Sequence, residues 1–374
     1  MATTNSVLSL LLTLIAFSLL LFPRCIGAHP LKVCMFDAIY QLGDSISDTG
    51  NLIRENPAVA FARLPYGETS FKKATGRCSN GLLMIDYIAL SAGIPFLSPY
   101  LDKDALFVRG CGENFAVAGS TALPAQILAE KNISSPVTNS SLNVQLDWMS
   151  THFNDICYNA DDCIKKLQTA LFMVGEVGWN DYNYALFQGK TIEDVRNMVP
   201  EVVQAIKEAV TRVIGFGAAR VVVPGNFPIG CSPIYLTAFQ TNNSAAYDEF
   251  HCLLGLNDLS MYHNYQLKQA IKDLRKENPN AIIVYGDYYN AFQWVHHHAP
   301  LLGFDAASTQ KSCCGNGGDY EFSLEKMCGA PGVPVCPNPD ERISWDGVHL
   351  TQKAYRYMAN WLIYDILPKL LCKV

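Results

Sequence analysis

Ser45 stands in Gly43-Asp44-Ser45 at the start of the run GDSISDTGN, and Asp346 and His349 stand near the other end of the chain in SWDGVHLT. These are the side-chain types that acyl transfer to a serine requires: a hydroxyl nucleophile, an imidazole to take its proton, and a carboxylate to orient the imidazole. The three-residue separation lets Asp346 and His349 approach one site from a single turn. His349 is then the general base, and Asp346 fixes its tautomer and stabilises the imidazolium. A tetrahedral intermediate also needs donors for its oxyanion. Gly119, after a predicted strand, offers an unobstructed backbone N–H, and Asn180 offers a side-chain amide. Each signal alone is common, since an Asp-x-x-His is often a helix cap beside a surface histidine. Their order and placement carry the weight. No G-x-S-x-G occurs, so the nucleophile elbow of the α/β-hydrolases is absent.

Those residues need elements to hold them. Short apolar runs at Ala38–Leu42, Asn114–Ala118, Leu171–Val174, Arg220–Val223 and Ala281–Tyr285 predict strands. Helical spacing is read over Leu82–Ala92, Thr191–Ile214, Leu256–Glu277 and Thr351–Leu367. Strands alternating with longer helices imply parallel βαβ units. The fold class expected is therefore α/β: a three-layer α/β/α sandwich around a five-stranded parallel sheet. Reactive groups in such sheets gather beyond the carboxyl ends of the strands, where Gly43–Ser45, Gly119 and Gly178–Asp181 all fall.

The ends and the composition bound the setting. Val7–Phe22 is almost wholly apolar and is followed by Arg24, Gly27 and Ala28, which reads as a signal peptide over residues 1–28. A transmembrane anchor is the alternative. Residues 29–374 are then one hydrolase domain. Thirteen cysteines become twelve once Cys25 leaves, an even number that suits an oxidising compartment. Cys157 with Cys163, Cys231 with Cys252, and the group Cys313, Cys314, Cys328 and Cys336 are disulfide candidates. Asn-x-Ser/Thr sequons at Asn132, Asn139 and Asn242 sit in polar, loop-like stretches and are candidate glycosylation sites, of which two are expected to be used. Loss of Arg24 moves the formal charge from −6 to −7, which disfavours nucleic acid and anionic membrane as partners. His296-His297-His298 is read as a solvated loop and not a metal site, because neighbouring residues rarely converge on one ion. Asp287, Tyr288 and Tyr289 are read as structural. No metal or other cofactor is implied, the partner expected is a small-molecule ester, and the chain is read as a monomer with no membrane span in its mature part.

Along nearly all of the mature sequence the chain resembles the plant GDSL esterase/lipase family within the SGNH hydrolases. The resemblance is carried by IYQLGDSISDTGN, PYG at Pro65–Gly67, TGRCSNG at Thr75–Gly81, NFAVAGSTAL from Asn114, FMVGEVGWNDYNYA from Phe172, VPGNFPIGC from Val223, and CPNPDERISWDGVHLT from Cys336. It implies the same flavodoxin-like sandwich, Ser45 as nucleophile with Asp346 and His349, and an oxyanion hole from the Ser45 N–H, Gly119 and Asn180. The chain departs from the family where many members carry Gly-Gly-Asn-Asp and this sequence has Trp179 in the second position. Trp179 is either a packed aromatic or a lining of the acyl pocket. The opening MFDAIYQLGDSISDTGN is similar to the subset that includes acetylajmalan and sinapine esterases, which implies a small acyl ester of a specialised metabolite, such as an O-acetylated alkaloid, over a triacylglycerol. The implied setting is the secretory pathway, ending in apoplast or vacuole. An acyltransferase using the same acyl-enzyme and a general lipase are the alternatives. A non-catalytic binding protein predicts loss of Ser45, Asn180 or His349, and all three are present.

Overall fold

A computed structural model describes residues 29–103 and 111–372. The proposed signal peptide, with Cys25, lies outside the described residues. Five parallel strands form one sheet in the order β2-β1-β3-β4-β5, with β1 Ile39–Leu42, β2 Gly112–Asn114, β3 Leu171–Val174, β4 Arg220–Pro224 and β5 Ile282–Gly286. Every residue of β1 and β3 is buried, as a strand covered on both faces requires. Ile39 pairs with Leu171 and Leu42 with Val174, so these two strands end level. The chain turns one way from β1 to β2 and the other way into β3. The crevice beyond the ends of β1 and β3 is therefore the topological switch point, where open α/β sheets bind ligands.

The longer helices are α1 Met84–Ala92, α2 Leu142–Ile156, α3 Trp179–Phe187, α4 Ile192–Phe216, α5 Leu254–Glu277, α6 Tyr288–His297 and α7 Gln352–Ile366. Helix α4 shows how locally these are specified. Thr191 Oγ1 accepts from the Asp194 N–H at 3.1 Å while Asp194 Oδ2 accepts from the Thr191 N–H at 2.9 Å, a reciprocal cap. Gly217 ends the helix, and Val195, Val199, Val202, Ile206, Val210 and Val213 form its buried stripe. Helices α2 and α5 pack against α4 on one face of the sheet, and α7 packs with α1, α6 and β5 on the other.

The α/β/α sandwich is as expected, with three local differences. The second strand lies earlier than the run Asn114–Ala118, sharing only Asn114 with it. Beyond Asn114 the segment pairs part of its backbone with side chains instead: Asn51 Nδ2 donates to the carbonyls of Asn114 and Ala116, both at 2.8 Å. The His296–His298 run is no solvated loop. His296 and His297 are the last turn of α6, and His296 is buried against Phe292 and Phe250 because the 3.6-residue period turns it inward. Asp287 caps that helix through a 3.1 Å bond from the Asn290 N–H. Among the described residues, no group of three or more His, Cys, Asp or Glu is placed to hold a metal ion.

The third difference concerns the cysteines. Four disulfides join candidates read from the sequence, Cys157–Cys163, Cys231–Cys252, Cys313–Cys336 and Cys314–Cys328. A fifth, Cys34–Cys372, ties residues 338 positions apart, and Cys78 and Cys111 are free. Long-range closure limits the unfolded chain most. Replacing Cys34 and Cys372 together with Ser is expected to cost about 2–4 kcal/mol, read as a lower urea midpoint. An unchanged midpoint would show that the terminal helix holds itself in place without the bond.

Candidate active site

The loop after β1 is held from three sides. Gly43 lies against the chain following β3, and a Cβ there would meet the Glu176 carbonyl oxygen at 2.9 Å. Gln145 of α2 brackets Gly43, accepting from its N–H at 2.9 Å and donating to its carbonyl at 2.8 Å. The buried Asp48 carboxylate accepts four backbone N–H groups, from Gly50, Asn51, Leu52 and Ala118, at 2.6–3.0 Å. These contacts fasten the Ser45 loop to the segment carrying Gly119. Ser45 itself is only 9% exposed.

Helix α3 supplies the next wall. Asn180 Nδ2 donates to Asp44 Oδ2 at 3.1 Å and to the Ser120 carbonyl at 3.0 Å. Asp181 accepts from the N–H groups of Ala122 and Leu123 at 2.8 and 2.9 Å, and Tyr184 O–H donates to the Gly119 carbonyl at 2.7 Å. Residues spaced along one turn of α3 thus grip the Gly119–Leu123 loop. Gly119 has φ +83°, and a Cβ there would sit 2.5 Å from Val137, so the position suits glycine alone. Both hydrogens of the Asn180 amide are engaged, so serving an oxyanion requires one of them to turn from Asp44 or Ser120.

The third wall comes from the loop before α7, which Thr351 caps through the Ala354 N–H at 3.3 Å. Asp346 Oδ1 accepts from the Val348 and His349 N–H groups at 3.0 and 2.7 Å. Its Oδ2 lies 2.8 Å from His349 Nδ1 and accepts from Tyr66 O–H at 2.8 Å. Burial pushes the Asp346 carboxyl up, but the His349 charge and these hydrogen bonds outweigh it and hold the group below its ordinary value. A carboxylate at Nδ1 assigns the proton to that nitrogen and leaves Nε2 as the acceptor. Among the described residues the buried His349 Nε2 has no hydrogen-bond partner, so no Ser45–His349 bond is made. His349 is nonetheless near enough to act electrostatically on the buried Asp44 carboxyl, the residue before Ser45.

Hydrogen bonds thus tie Asn180 to the residues beside Ser45 and Gly119, and the Asp346–His349 pair lies within electrostatic reach of them through Asp44. Trp179 is buried beside them: its Nε1–H donates to Tyr235 O–H at 2.6 Å, and its ring stacks on Tyr235 and tilts against Phe227. Asn132, Asn139 and Asn242 are all exposed. Sequence reasoning missed Tyr66 as a partner of Asp346, although PYG was among the family-like blocks, and it missed Gln145, Asp44 and Glu176. No period or motif marks a residue that acts only through a contact 100 or more positions away.

The arrangement suits acyl transfer, and comparison with known proteins agrees. A family model described as GDSL-like Lipase/Acylhydrolase matches residues 39–362. The chain belongs to that family. Among curated GDSL relatives, acetylajmalan esterase 1 of Rauvolfia serpentina is 44% identical over 96% of this chain and 93% of its own length. Acetylajmalan esterase 2 of the same plant is 46% identical over 96% of this chain and 97% of its own. A GDSL esterase/lipase of Arabidopsis thaliana is 45% identical over 96% and 98%. This GDSL hydrolase is a carboxylic ester hydrolase.

Proposed function

We propose that this GDSL hydrolase is a serine esterase of the secretory pathway that cleaves small acyl esters, acetyl above all, of a specialised metabolite. The observation that supports the reading is the Asp346–His349 pair, whose Nδ1 is held by the carboxylate, whose buried Nε2 is left without a partner among the described residues, and which acts electrostatically on Asp44, the neighbour of Ser45. On substrate binding Ser45 Oγ closes on Nε2, which takes its proton as Oγ attacks the ester carbonyl. The oxyanion forms against the N–H groups of Ser45 and Gly119 and the Asn180 amide. His349 returns the proton to the leaving alcohol, and water repeats the sequence to release the acid. Five disulfides and a signal-like leader support an oxidising compartment, apoplast or vacuole. The exposed sequons support glycosylation, and the names of the Rauvolfia relatives support an acetylated alkaloid as substrate. A fluorophosphonate probe tests the mechanism: the label is expected on Ser45 by peptide mapping, and a label elsewhere, or none, would sink the assignment.

Trp179 is proposed to limit the acyl group. It lies one residue from Asn180 and is braced by the Tyr235 hydroxyl, so it is held rather than free to swing away. Trp179→Ala is expected to raise kcat/KM for butyrate and hexanoate esters relative to acetate by about tenfold, since a few methylenes in an apolar pocket are worth that much. An unchanged ratio in a variant that still hydrolyses acetate would make Trp179 a packing residue only.

A further inference from the structure

A second carboxyl lies behind the oxyanion side of the site. Glu176, in the turn after β3, is 0% exposed, and among the described residues neither of its oxygens accepts an N–H or O–H hydrogen bond. The Trp179 N–H acts on it without reaching hydrogen-bond geometry. Asp44, also buried, is tied to it by a 3.2 Å bond from the Asp44 N–H to the Glu176 carbonyl, and the two side chains are close enough to hydrogen-bond each other. Two carboxyls can make that bond only if one is protonated, because two ionised oxygens offer no donor.

The surroundings point the same way. The groups acting most strongly on Asp44 are Ile46 N–H, His349, Glu176 and Asp48, and those acting on Glu176 include Asp44 and Asp181; none is Lys or Arg. Tyr184, Cys78 and Tyr355 also face Asp44, and Tyr182, Tyr235 and Tyr288 face Glu176. Burial pushes all six of these up, so they stay neutral and supply no positive charge. Of all these groups His349 alone can carry a positive charge, and it is committed to Asp346. Two adjacent buried carboxylates without a counter-charge cannot both ionise.

We propose that Asp44 and Glu176 share one proton near neutral pH, and that Glu176 is a positioning residue whose O–H holds the Asp44 carboxylate on the Asn180 amide. The proton resides on Glu176 and the negative charge of the pair on Asp44, so Asn180 is oriented while the pair carries one charge instead of two. Burial is the main cause of the upward push on both groups, with Asp44 raised to about 7 and Glu176 well above its ordinary value. The sign follows. The folded protein keeps this proton where an unfolded Glu has lost it, so the contribution to stability is fully present only below the unfolded Glu value, declines as pH rises through neutrality, and is gone above the folded value. Loss of the proton puts a second charge behind Asn180, and kcat falls with it.

This inference rests on the proposed mechanism only for its kinetic consequence, and its physical core is tested without turnover. Infrared spectra of the full glycosylated protein are expected to show the C=O stretch of a buried carboxylic acid at neutral pH, bleaching as the wild type is titrated to alkali and weakened in Glu176→Gln. A wild-type spectrum with all carboxyls ionised at neutral pH, or a band unchanged in Glu176→Gln, would overturn it. In kinetics, Glu176→Leu is expected to lower kcat by about tenfold or more with KM little changed. Glu176→Gln, whose amide can still donate to Asp44, should recover most of that loss and lack the alkaline fall of the wild type. Equal kcat and identical pH profiles in both variants would reduce Glu176 to packing. Full activity in Ser45→Ala would refute the serine mechanism and leave the infrared result standing.

Discussion

Ser45→Ala is expected to lower turnover of p-nitrophenyl acetate by about 10⁴- to 10⁶-fold, the range found when a serine nucleophile that works as a unit with its base is removed. The substitution deletes one oxygen from a loop whose shape does not depend on it. Asp48 with its four N–H donors, Gln145 around Gly43, and the Asn51 side chain on Asn114 and Ala116 hold the loop independently of the Ser45 side chain. The stability of the variant should therefore stay within about 0.5 kcal/mol of wild type. A loss of activity at unchanged thermal midpoint then assigns the chemistry to Oγ. A trace above the uncatalysed rate should remain, since the oxyanion donors still bind the ester. Equal activity in the two proteins would remove Ser45 as catalyst. Inactivity in both would redirect the search to bulkier natural esters or to acyl transfer.

Asp346→Asn should cost about 10⁴-fold in kcat, as expected when an imidazole is forced into the wrong tautomer. Every lone pair of this carboxylate faces a donor: two backbone N–H groups on Oδ1, and His349 Nδ1–H and Tyr66 O–H on Oδ2. An amide can present only one oxygen. If its NH₂ takes the Oδ2 place, it meets two donors and drives the His349 proton to Nε2, where it blocks acceptance of the Ser45 proton. If NH₂ takes the Oδ1 place, two buried N–H groups lose their acceptor, at about 1–3 kcal/mol in stability. Either way the charge that would stabilise the imidazolium is gone. KM should move little, because Asp346 is packed behind His349, and fluorophosphonate labelling of Ser45 should slow in parallel with kcat. A variant within about tenfold of wild type would mean that His349 is oriented by other contacts.

Much of this was legible in the chain, for local reasons. Leu171–Val174 matches β3 residue for residue, because a strand buried on both faces must be apolar without interruption. Thr191 and Asp194 set the start of α4 through a cap made within four residues. Asp346 and His349 bond across three residues, so their pairing could be read from spacing alone. Short-range geometry leaves its mark in short-range sequence.

What the sequence could not settle lies in contacts between distant segments. The strand stops near Asn114 because Gly43, whose N–H the next rung of the ladder would need, gives it instead to the Gln145 side chain 102 residues later. Tyr66 reaches Asp346 across 280 residues, Cys34 pairs with Cys372 across 338, and Glu176 meets Asp44 only because β1 and β3 end level in the sheet. The residue types available for acyl transfer, the α/β/α layering and the pairing of Asp346 with His349 follow from the chain read residue by residue, since composition, hydrophobic period and spacing within one turn are properties of neighbouring residues. Packing between distant segments sets which side chains orient that pair, how the Asn180 amide is engaged, and that a second buried carboxyl stands behind it. Burial, and with it the charge a carboxyl can bear, is a property of everything packed around a residue and of nothing adjacent to it in the chain.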